Sequence, residues 1–169
     1  MPARRIITTI LALSAAACAE SAGGLTWTAP PAWKNEGQRP MRAATYRIPP
    51  APADKEDGEC GVFFFGPGQG GGVEANLKRW IGQFESATQP QTRSQTINGL
   101  QVTTVDVSGT YTGAGGPMAA AKSAKPGYRL LGGIVEGPQG AVFFKFTGPA
   151  KTVAAQQAAF QKMLGSVSK

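Results

Sequence analysis

The dipeptide Asn98-Gly99 constrains the fold of this chain more than any other sequence feature. It separates two runs of β-branched and apolar residues, at 94–97 and 100–107. Both residues of an Asn-Gly pair adopt positive φ readily, which favours the type I′ turn that joins two antiparallel strands. The sequence therefore predicts a hairpin here, and with it an antiparallel sheet.

A second hairpin is predicted further along, from residues 128–136 and 141–147 around the turn at 137–140. The segment 60–65 carries apolar residues on both faces, which is typical of a central strand. Earlier strands are expected at 25–27 and within 41–48.

The second strand of the first hairpin changes its apolar face midway. Leu100 and Val102 lie on one side of an ideal strand, and Val105 and Val107 lie on the other. We expect a β-bulge near residues 103–104 to account for the change.

Two amphipathic helices follow from the spacing of apolar residues. The stripe of the first, expected from residue 73 to 84, consists of Val73, Leu77, Trp80, Ile81 and Phe84. The second helix is expected at 152–164. Its inward-facing residues are Val153, Phe160, Met163 and Leu164, and Val167 faces inward just beyond the end of the helix. Strands, a helix, two hairpins and a helix together predict an α+β fold, an antiparallel sheet with two packed helices forming an α/β/α sandwich.

Residues 1–17 have the character of a bacterial export signal. Arg4 and Arg5 supply the basic start, and residues 6–17 form an uncharged run. Such a run rises about 18 Å as a helix, which is too short for the ~30 Å hydrocarbon layer. We therefore expect a cleaved signal and not a membrane span.

Two cleavage sites compete after this leader. The Ala-Ala-Ala tripeptide at 15–17 before Cys18 resembles a lipobox, the motif cut before a lipid-modified cysteine, with Ala15 where Leu is usual. Ordinary signal cleavage after an A-x-A site would fall after residue 17 or residue 19 instead. We place lipidation of Cys18 first, because a cysteine is otherwise uncommon at this position.

Lipidation at Cys18 would leave a tether, residues 18–24, and one domain, residues 25–169. It would also leave Cys60 as the single free thiol. In a strand Cys60 shares a face with Val62, so the sequence predicts a buried, unreactive thiol.

The composition excludes several kinds of chemistry. The chain has no histidine, which rules out a Ser-His-Asp triad, a Cys-His pair and every His-ligated metal site. Two cysteines cannot form a Cys₄ zinc site or an iron–sulfur cluster. The acidic run at 54–59 lacks the EF-hand spacing and is expected to be a solvated loop. We therefore expect no metal, no cofactor and no enzymatic activity.

The net charge of +7 bears on the partners. Removal of the leader would leave fifteen basic residues against ten acidic ones, and the basic residues are dispersed. This pattern and export argue against nucleic acid, and favour an anionic membrane surface or cell-wall polymer. The Gly/Ala/Lys-rich stretch 112–127, which lacks periodicity, is expected to be mobile or functional. Its Lys122 and Lys125 are the predicted contacts.

A glycine-rich segment, residues 66–72, is the most specific candidate site. Its Gly66-x-Gly68-x-x-Gly71 matches the dinucleotide fingerprint by letter, but an Asn-Gly hairpin follows where a second parallel strand should come. The simpler interpretation is a crowded turn that needs positive φ. A second hypothesis places a small anion at the start of the following helix. Its predicted binding residues are Gly68, Gly70, Gly71, Gly72, Asn76 and Arg79. Alternatively, Arg79 flanks the helix and bonds a loop carbonyl.

The order of elements, opening with Leu25-x-Trp27 and Pro31-x-Trp33, resembles the PsbP/Mog1/DcrB-like superfamily. The resemblance covers residues 25–167 and implies a small α/β/α sandwich, exported or lipid-anchored in many members. It also implies a binding or assembly scaffold without a shared catalytic site. Plant members assist photosystem oxygen evolution and the nuclear member binds a small GTPase, but no residue here matches the functional motif of either.

A more specific string runs from residues 66–72 through Asn76-x-x-Arg79-Trp80 to Gln83-Phe84. It resembles the signature of a set of bacterial secreted proteins for which no activity is known.

The sequence therefore predicts an exported, lipid-anchored, non-enzymatic binding module of the cell envelope, periplasmic or at a membrane. Its expected partner is an envelope protein or polymer, with the membrane reached through Cys18. The alternative is a small-molecule or anion binder that uses residues 66–72 and the helix start. An enzyme would need Ser, Lys, Tyr or carboxylate chemistry.

Overall fold

The computed structural model describes residues 19–113 and 124–169. The leader, Cys18 and Lys122 lie outside these residues. The elements in chain order are β1 Ala19–Ala22, β2 Leu25–Thr28, β3 Lys34–Asn35, β4 Ala44–Ile48, β5 Gly58–Phe63, α1 Val73–Ile81, β6 Phe84–Glu85, β7 Gln91–Ile97, β8 Leu100–Tyr111, β9 Lys125–Gly137, β10 Gly140–Pro149 and α2 Ala150–Gly165. Neither helix has the length and apolar character needed to cross a membrane.

The main sheet has eight strands, and every pairing within it is antiparallel. Its order is β3-β4-β5-β10-β9-β8, after which β8 pairs with β7 along its first half and with β6 near its end. Helix α2 packs on one face and α1 on the other. The predicted α+β sandwich is confirmed, and so are both predicted hairpins.

The face under α2 carries the larger core. Trp27 is buried there, and its indole N–H donates a hydrogen bond to the Tyr46 hydroxyl at 2.8 Å. The Trp27 ring also meets Phe144 edge to face, with 5.4 Å between the ring centroids. Cys60 is fully buried in the same core, and burial raises the pKa of its thiol, as predicted for an unreactive cysteine. The other buried residues of this core include Leu25, Ile48, Val62, Val135, Phe146, Val153, Phe160, Met163, Leu164 and Val167.

The face under α1 carries a smaller aromatic core. Trp80 packs against the backbone of Gly132 in β9 and meets Phe143 of β10 edge to face. The remaining buried members are Phe84, Val105, Val107, Tyr128, Leu130 and Ile134. Apolar residues therefore occur on both faces of the central strands because a helix covers each face.

The expected bulge at residues 103–104 is wrong. The register of β8 against β7 runs unbroken through this point, and the register against β9 shifts only between Gly109 and Tyr111. The apolar residues of β8 change from one face to the other because the first part of the strand contributes to the core under α2 and the next part to the core under α1. Leu100 and Val102 belong to the core under α2, whereas Val105 belongs to the core under α1.

Helix α1 is shorter than its apolar stripe predicts. It ends at Ile81, and Gly82 caps it with its N–H bonded to the Lys78 carbonyl. Phe84 keeps its place in the core from the two-residue strand β6. The apolar spacing thus continues past the helix because the next strand covers the same core.

The segment expected to be a tether is partly ordered. Ala19–Ala22 forms β1 and pairs with β2 in a separate two-stranded sheet. Gly23 and Gly24 make the turn between them at φ of 62° and 76°. A Cβ on Gly23 would lie 2.8 Å from the Phe64 ring, so this turn packs directly on the domain.

The acidic run begins in a solvent-exposed loop, as expected, and its carboxylates also bond to the domain. Four of its carboxylates have separate partners, which are Thr152 for Asp54, Lys125 and Tyr128 for Glu56, Arg47 for Asp57, and Arg42 for Glu59. No group of three metal-ligating side chains occurs within 19–113 or 124–169. The acidic side chains therefore attach this segment to the rest of the domain.

The strongest of these attachments caps α2. One Asp54 oxygen accepts bonds from the backbone N–H and the hydroxyl of buried Thr152, at 2.7 and 2.6 Å. We expect Asp54→Ala to lower the free energy of unfolding by about 1–3 kcal/mol, because a helix cap and a buried hydroxyl both lose their acceptor. Chemical denaturation measures the change. Asp57→Ala is the control, since its ion pair is exposed and worth under about 1 kcal/mol; equal losses for both variants would contradict the capping role.

Candidate functional site

The glycine loop, residues 66–72, connects β5 to α1. Four of its glycines adopt positive φ, namely Gly66, Gly68, Gly70 and Gly71. Gly70 also meets aromatic rings, since a Cβ there would lie 2.8 Å from Phe65 and 2.9 Å from Phe143. The geometry of the turn thus accounts for the glycines, as the simpler interpretation predicts.

Asn76 holds this loop to the helix. Its side-chain N–H₂ donates to the carbonyl oxygens of Gly70 and Gly72 at 2.8 and 2.9 Å, and the residue is 1% exposed. Its side-chain oxygen accepts a hydrogen bond from Arg79. The loop carbonyls are therefore bonded by Asn76 and not by Arg79, and Asn76 lies in the interior although it is polar.

The six predicted binding residues do lie together. Gly68 and Gly72 are exposed with open space beside them, and Arg79 is exposed at the end of the Asn76 contact. Both the N–H₂ group and the oxygen of the Asn76 side chain are hydrogen-bonded within the protein. Arg79 is therefore the side chain of this group that presents a polar end to solvent.

Removal of the Asn76 amide should loosen the glycine loop. We expect Asn76→Ala to lower the free energy of unfolding by about 1–3 kcal/mol, because two backbone carbonyls lose their donor in a buried place. Thermal or urea denaturation measures it. Lys78→Ala, on the exposed side of the same helix, should change stability by less than about 0.5 kcal/mol. A stable Asn76→Ala protein would show that the loop holds its shape without this residue.

A polar groove of about 510 Å³ lies between α2 and the β7–β9 part of the sheet. Its polar lining comes from both walls and consists of Gln91, Arg93, Gln95, Thr104, Asp106, Gln157 and Gln161. Its apolar lining consists of Ile97, Val105, Leu131, Phe160 and Leu164. The odd-numbered residues of β7 share one face of the strand, which brings four of these residues to the groove.

The carboxylate of the groove is already neutralised. Arg129 donates two hydrogen bonds to Asp106, at 2.8 and 2.6 Å, and a third to Gln157 at 2.9 Å. The contact with Asp106 raises the pKa of the Arg129 guanidinium. A two-point ion pair of this kind fixes geometry. The groove is thereby suited to recognition through hydrogen bonds more than to proton transfer.

Two solved structures share this arrangement of strands and helices. One is a protein of unknown function and candidate regulator from Pseudomonas aeruginosa, with a TM-score of 0.54 at 11% identity over 90% of this chain and 96% of the other. The second is cyanobacterial PsbP (CyanoP) from Synechocystis sp. PCC 6803, with a TM-score of 0.54 at 10% identity over 96% of this chain and 98% of the other. The chain has a PsbP-like fold.

These identities establish the fold alone, because one fold carries many functions. No family model matches the chain. No curated protein matches its sequence.

An open edge of the PsbP-like sheet borders the groove. Among residues 19–113 and 124–169, β7 pairs with β8 alone, and every β7 residue except Ile97 is exposed. Asn98 and Gly99 have φ of 50° and 75°, which makes Ile97 and Leu100 the hydrogen-bonded pair beside the turn. The backbone groups at the alternate positions 92, 94 and 96 therefore point away from β8.

Sequence reasoning missed this groove. The first strand of the predicted hairpin begins at residue 94, so Gln91 and Arg93 were not placed on a strand. The available signal was the spacing of the long side chains Gln91, Arg93, Gln95 and Ile97 at every second position, which a strand would bring to one face.

Proposed function

We propose that the protein is an exported, non-enzymatic binding module of the cell envelope, anchored to a membrane through a lipidated Cys18. It binds an extended segment of a partner protein along β7, with side chains of that segment in the polar groove. The leader at 1–17 supports export, and the residues before Cys18 support the anchor.

The free edge of β7 carries this proposal. The alternate positions 92, 94 and 96 offer N–H and C=O groups that have no strand beside them in the described part of the chain. An added strand satisfies such groups, and the affinity then comes from main-chain hydrogen bonds. The groove next to β7 supplies the pockets for alternate side chains that give selectivity.

The chemistry of the groove favours a protein segment over an anionic polymer. Glutamine side chains donate and accept hydrogen bonds, and they line both walls of the groove. Asp106 is paired with Arg129, which leaves Arg93 as the basic residue of the lining. Lys125, a predicted contact for an anionic surface, is paired with Glu56 at 2.5 Å, which reduces the positive charge it offers to such a surface.

Proline at position 94 tests the edge. Ser94→Pro removes an outward N–H while the hydrogen bonds of residues 93 and 95 to β8 remain. Ser94→Ala is the matched control, because both variants lose the hydroxyl contact with Thr103 at 3.1 Å. We expect a membrane protein captured by the wild type and by Ser94→Ala to be lost with Ser94→Pro. Equal capture by all three proteins would overturn binding at β7.

The anchor is tested separately. Mass spectrometry of the mature protein should find an acylated Cys18 at the N-terminus, and Cys18→Ser should release the protein from membranes. A mature chain that begins at an unmodified Glu20 would contradict the anchor and leave the β7 experiment unaffected.

A further inference from the structure

Lys145 occupies a confined place on the α1 face of the sheet. Its direct cross-strand neighbours are both glycines, Gly61 in β5 and Gly132 in β9. The rings of Phe63 and Trp80 cover those glycines, at 2.8 and 2.4 Å from where a Cβ would be. The lysine side chain therefore runs between two aromatic rings.

The ammonium group of Lys145 contacts neutral groups, and it also lies over the Tyr111 ring at 5.5 Å from the ring centroid. Its ammonium donates to the side-chain oxygen of Gln83 at 2.6 Å and lies 3.4 Å from the Tyr111 hydroxyl. All ten acidic residues of the chain are within 19–113 and 124–169, and none forms an ion pair with Lys145. A third ammonium proton remains for a ligand.

Two arginines lie near this lysine. The guanidinium of Arg42 is 3.6 Å from where a Cβ on Gly61 would be, and Glu59 balances its charge through a contact of 2.7 Å. Arg79 forms no ion pair in the described residues, and its partner is the neutral Asn76. Arg79 lies four residues before Gln83, the residue that accepts the Lys145 hydrogen bond, so both cations lie at the C-terminal end of α1, and neither forms an ion pair within the described part of the chain.

The pKa of Lys145 is consistent with the positive charge around it. Burial, followed by the charges of Arg42 and Arg79, lowers the pKa of Lys145 to about 8, and Glu59 opposes the shift. Tyr111 also faces the lysine, and burial raises the pKa of its phenol, so it remains a neutral hydrogen-bonding group. An anion placed between the two cations would relieve their repulsion.

We propose that Lys145 and Arg79 together bind a compact oxyanion group, a phosphate or a carboxylate, on the α1 face of the sheet. Arg79 offers the planar fork of donors that suits both groups. The Phe63 and Trp80 rings restrict the site to a small group. This site lies on the opposite face from the polar groove and is independent of partner binding at β7.

The proposed site also assigns a role to the glycine loop. The loop carbonyls fix the amide end of Asn76, which in turn presents its oxygen to Arg79. In this arrangement Asn76 is a positioning residue, and the anion is bound by side chains and not by the loop backbone.

Calorimetric titration of the full mature protein tests the site, with inorganic phosphate in one arm and acetate in the other. We expect Lys145→Met and Arg79→Met each to weaken binding by about tenfold or more, because each removes a charged hydrogen-bond donor. Lys78→Met, one residue away on the same helix, should bind as the wild type does. The arm that binds identifies the group. No binding of either anion to the wild type, or unchanged binding by both variants, would overturn the proposal.

The pH dependence of stability gives a second readout that does not depend on the affinity. Since the folded pKa of Lys145 lies below that of an unfolded lysine, the stability of the wild type relative to Lys145→Met should rise between pH 8 and about 10.4. A bound anion raises the folded pKa and should flatten this rise. A rise that is the same with and without saturating phosphate and acetate would also contradict the site.

Discussion

Replacement of Gly132 by alanine is expected to lower the free energy of unfolding by about 2–3 kcal/mol, because the added methyl group overpacks the core under α1. Its Cβ would lie 2.4 Å from the Trp80 ring and 2.8 Å from Val105. Relief requires the Trp80 ring or α1 to shift away from the sheet, and either shift would disturb the aromatic core. Equilibrium denaturation in urea measures the loss.

Gly165→Ala is the matched control for this prediction. Gly165 ends α2, and a Cβ there would meet nothing within 4 Å. The substitution should leave stability unchanged or raise it by up to about 1 kcal/mol, because it restricts the unfolded chain. If Gly132→Ala were as stable as Gly165→Ala, Trp80 would not pack over β9 as described.

Trp27→Ala should have the largest effect, a loss of about 3–5 kcal/mol, because it empties a fully buried indole site. Trp27 is 1% exposed, lies against Phe144 and donates to Tyr46. Trp27→Phe keeps most of the volume but leaves the Tyr46 hydroxyl without its donor, at an expected cost of about 1–3 kcal/mol.

Denaturation of Met41→Ala provides the comparison for Trp27. Met41 is a large apolar residue that is 72% exposed, and its truncation should cost less than about 0.5 kcal/mol. A Trp27→Ala protein as stable as Met41→Ala would show that β2 is not part of the core, and the assignment of the opening strand would then be wrong.

Local chemistry explains why the fold class could be predicted. Asn98-Gly99 specifies a tight turn through the φ values of two residues, and such a turn forces its strands to be antiparallel. The stripe of Val153, Phe160 and Met163 likewise depends only on helical spacing, and all three residues are buried. These features need no knowledge of distant parts of the chain.

The end of α1 and the burial of Asn76 depend on more than local spacing. Phe84 fits the helical stripe, but Gly82 ends the helix and β6 carries Phe84 to the same core. Asn76 is polar, and only the nearby carbonyls of Gly70 and Gly72 make its burial favourable. A hydrophobic pattern cannot show that a loop will supply the partners of a buried amide.

Strand β7 could not be delimited because it has no buried face. Its residues are exposed on both sides, so the alternation of apolar and polar residues that marks a half-buried strand is absent. Its position is fixed by pairing with β8, from Ile97 opposite Leu100 to Gln91 opposite Asp106. The groove depends on that pairing and on α2, which lies far away in the chain.

Amide hydrogen exchange on β7 tests the binding account most directly. In the protein alone, the outward N–H groups of Thr92, Ser94 and Thr96 should exchange quickly, while those of Arg93 and Gln95 are protected by β8. Addition of the membrane protein captured by the wild type and Ser94→Ala should slow exchange at positions 92, 94 and 96. Protection elsewhere on the protein, with these three amides still exchanging quickly, would contradict the account.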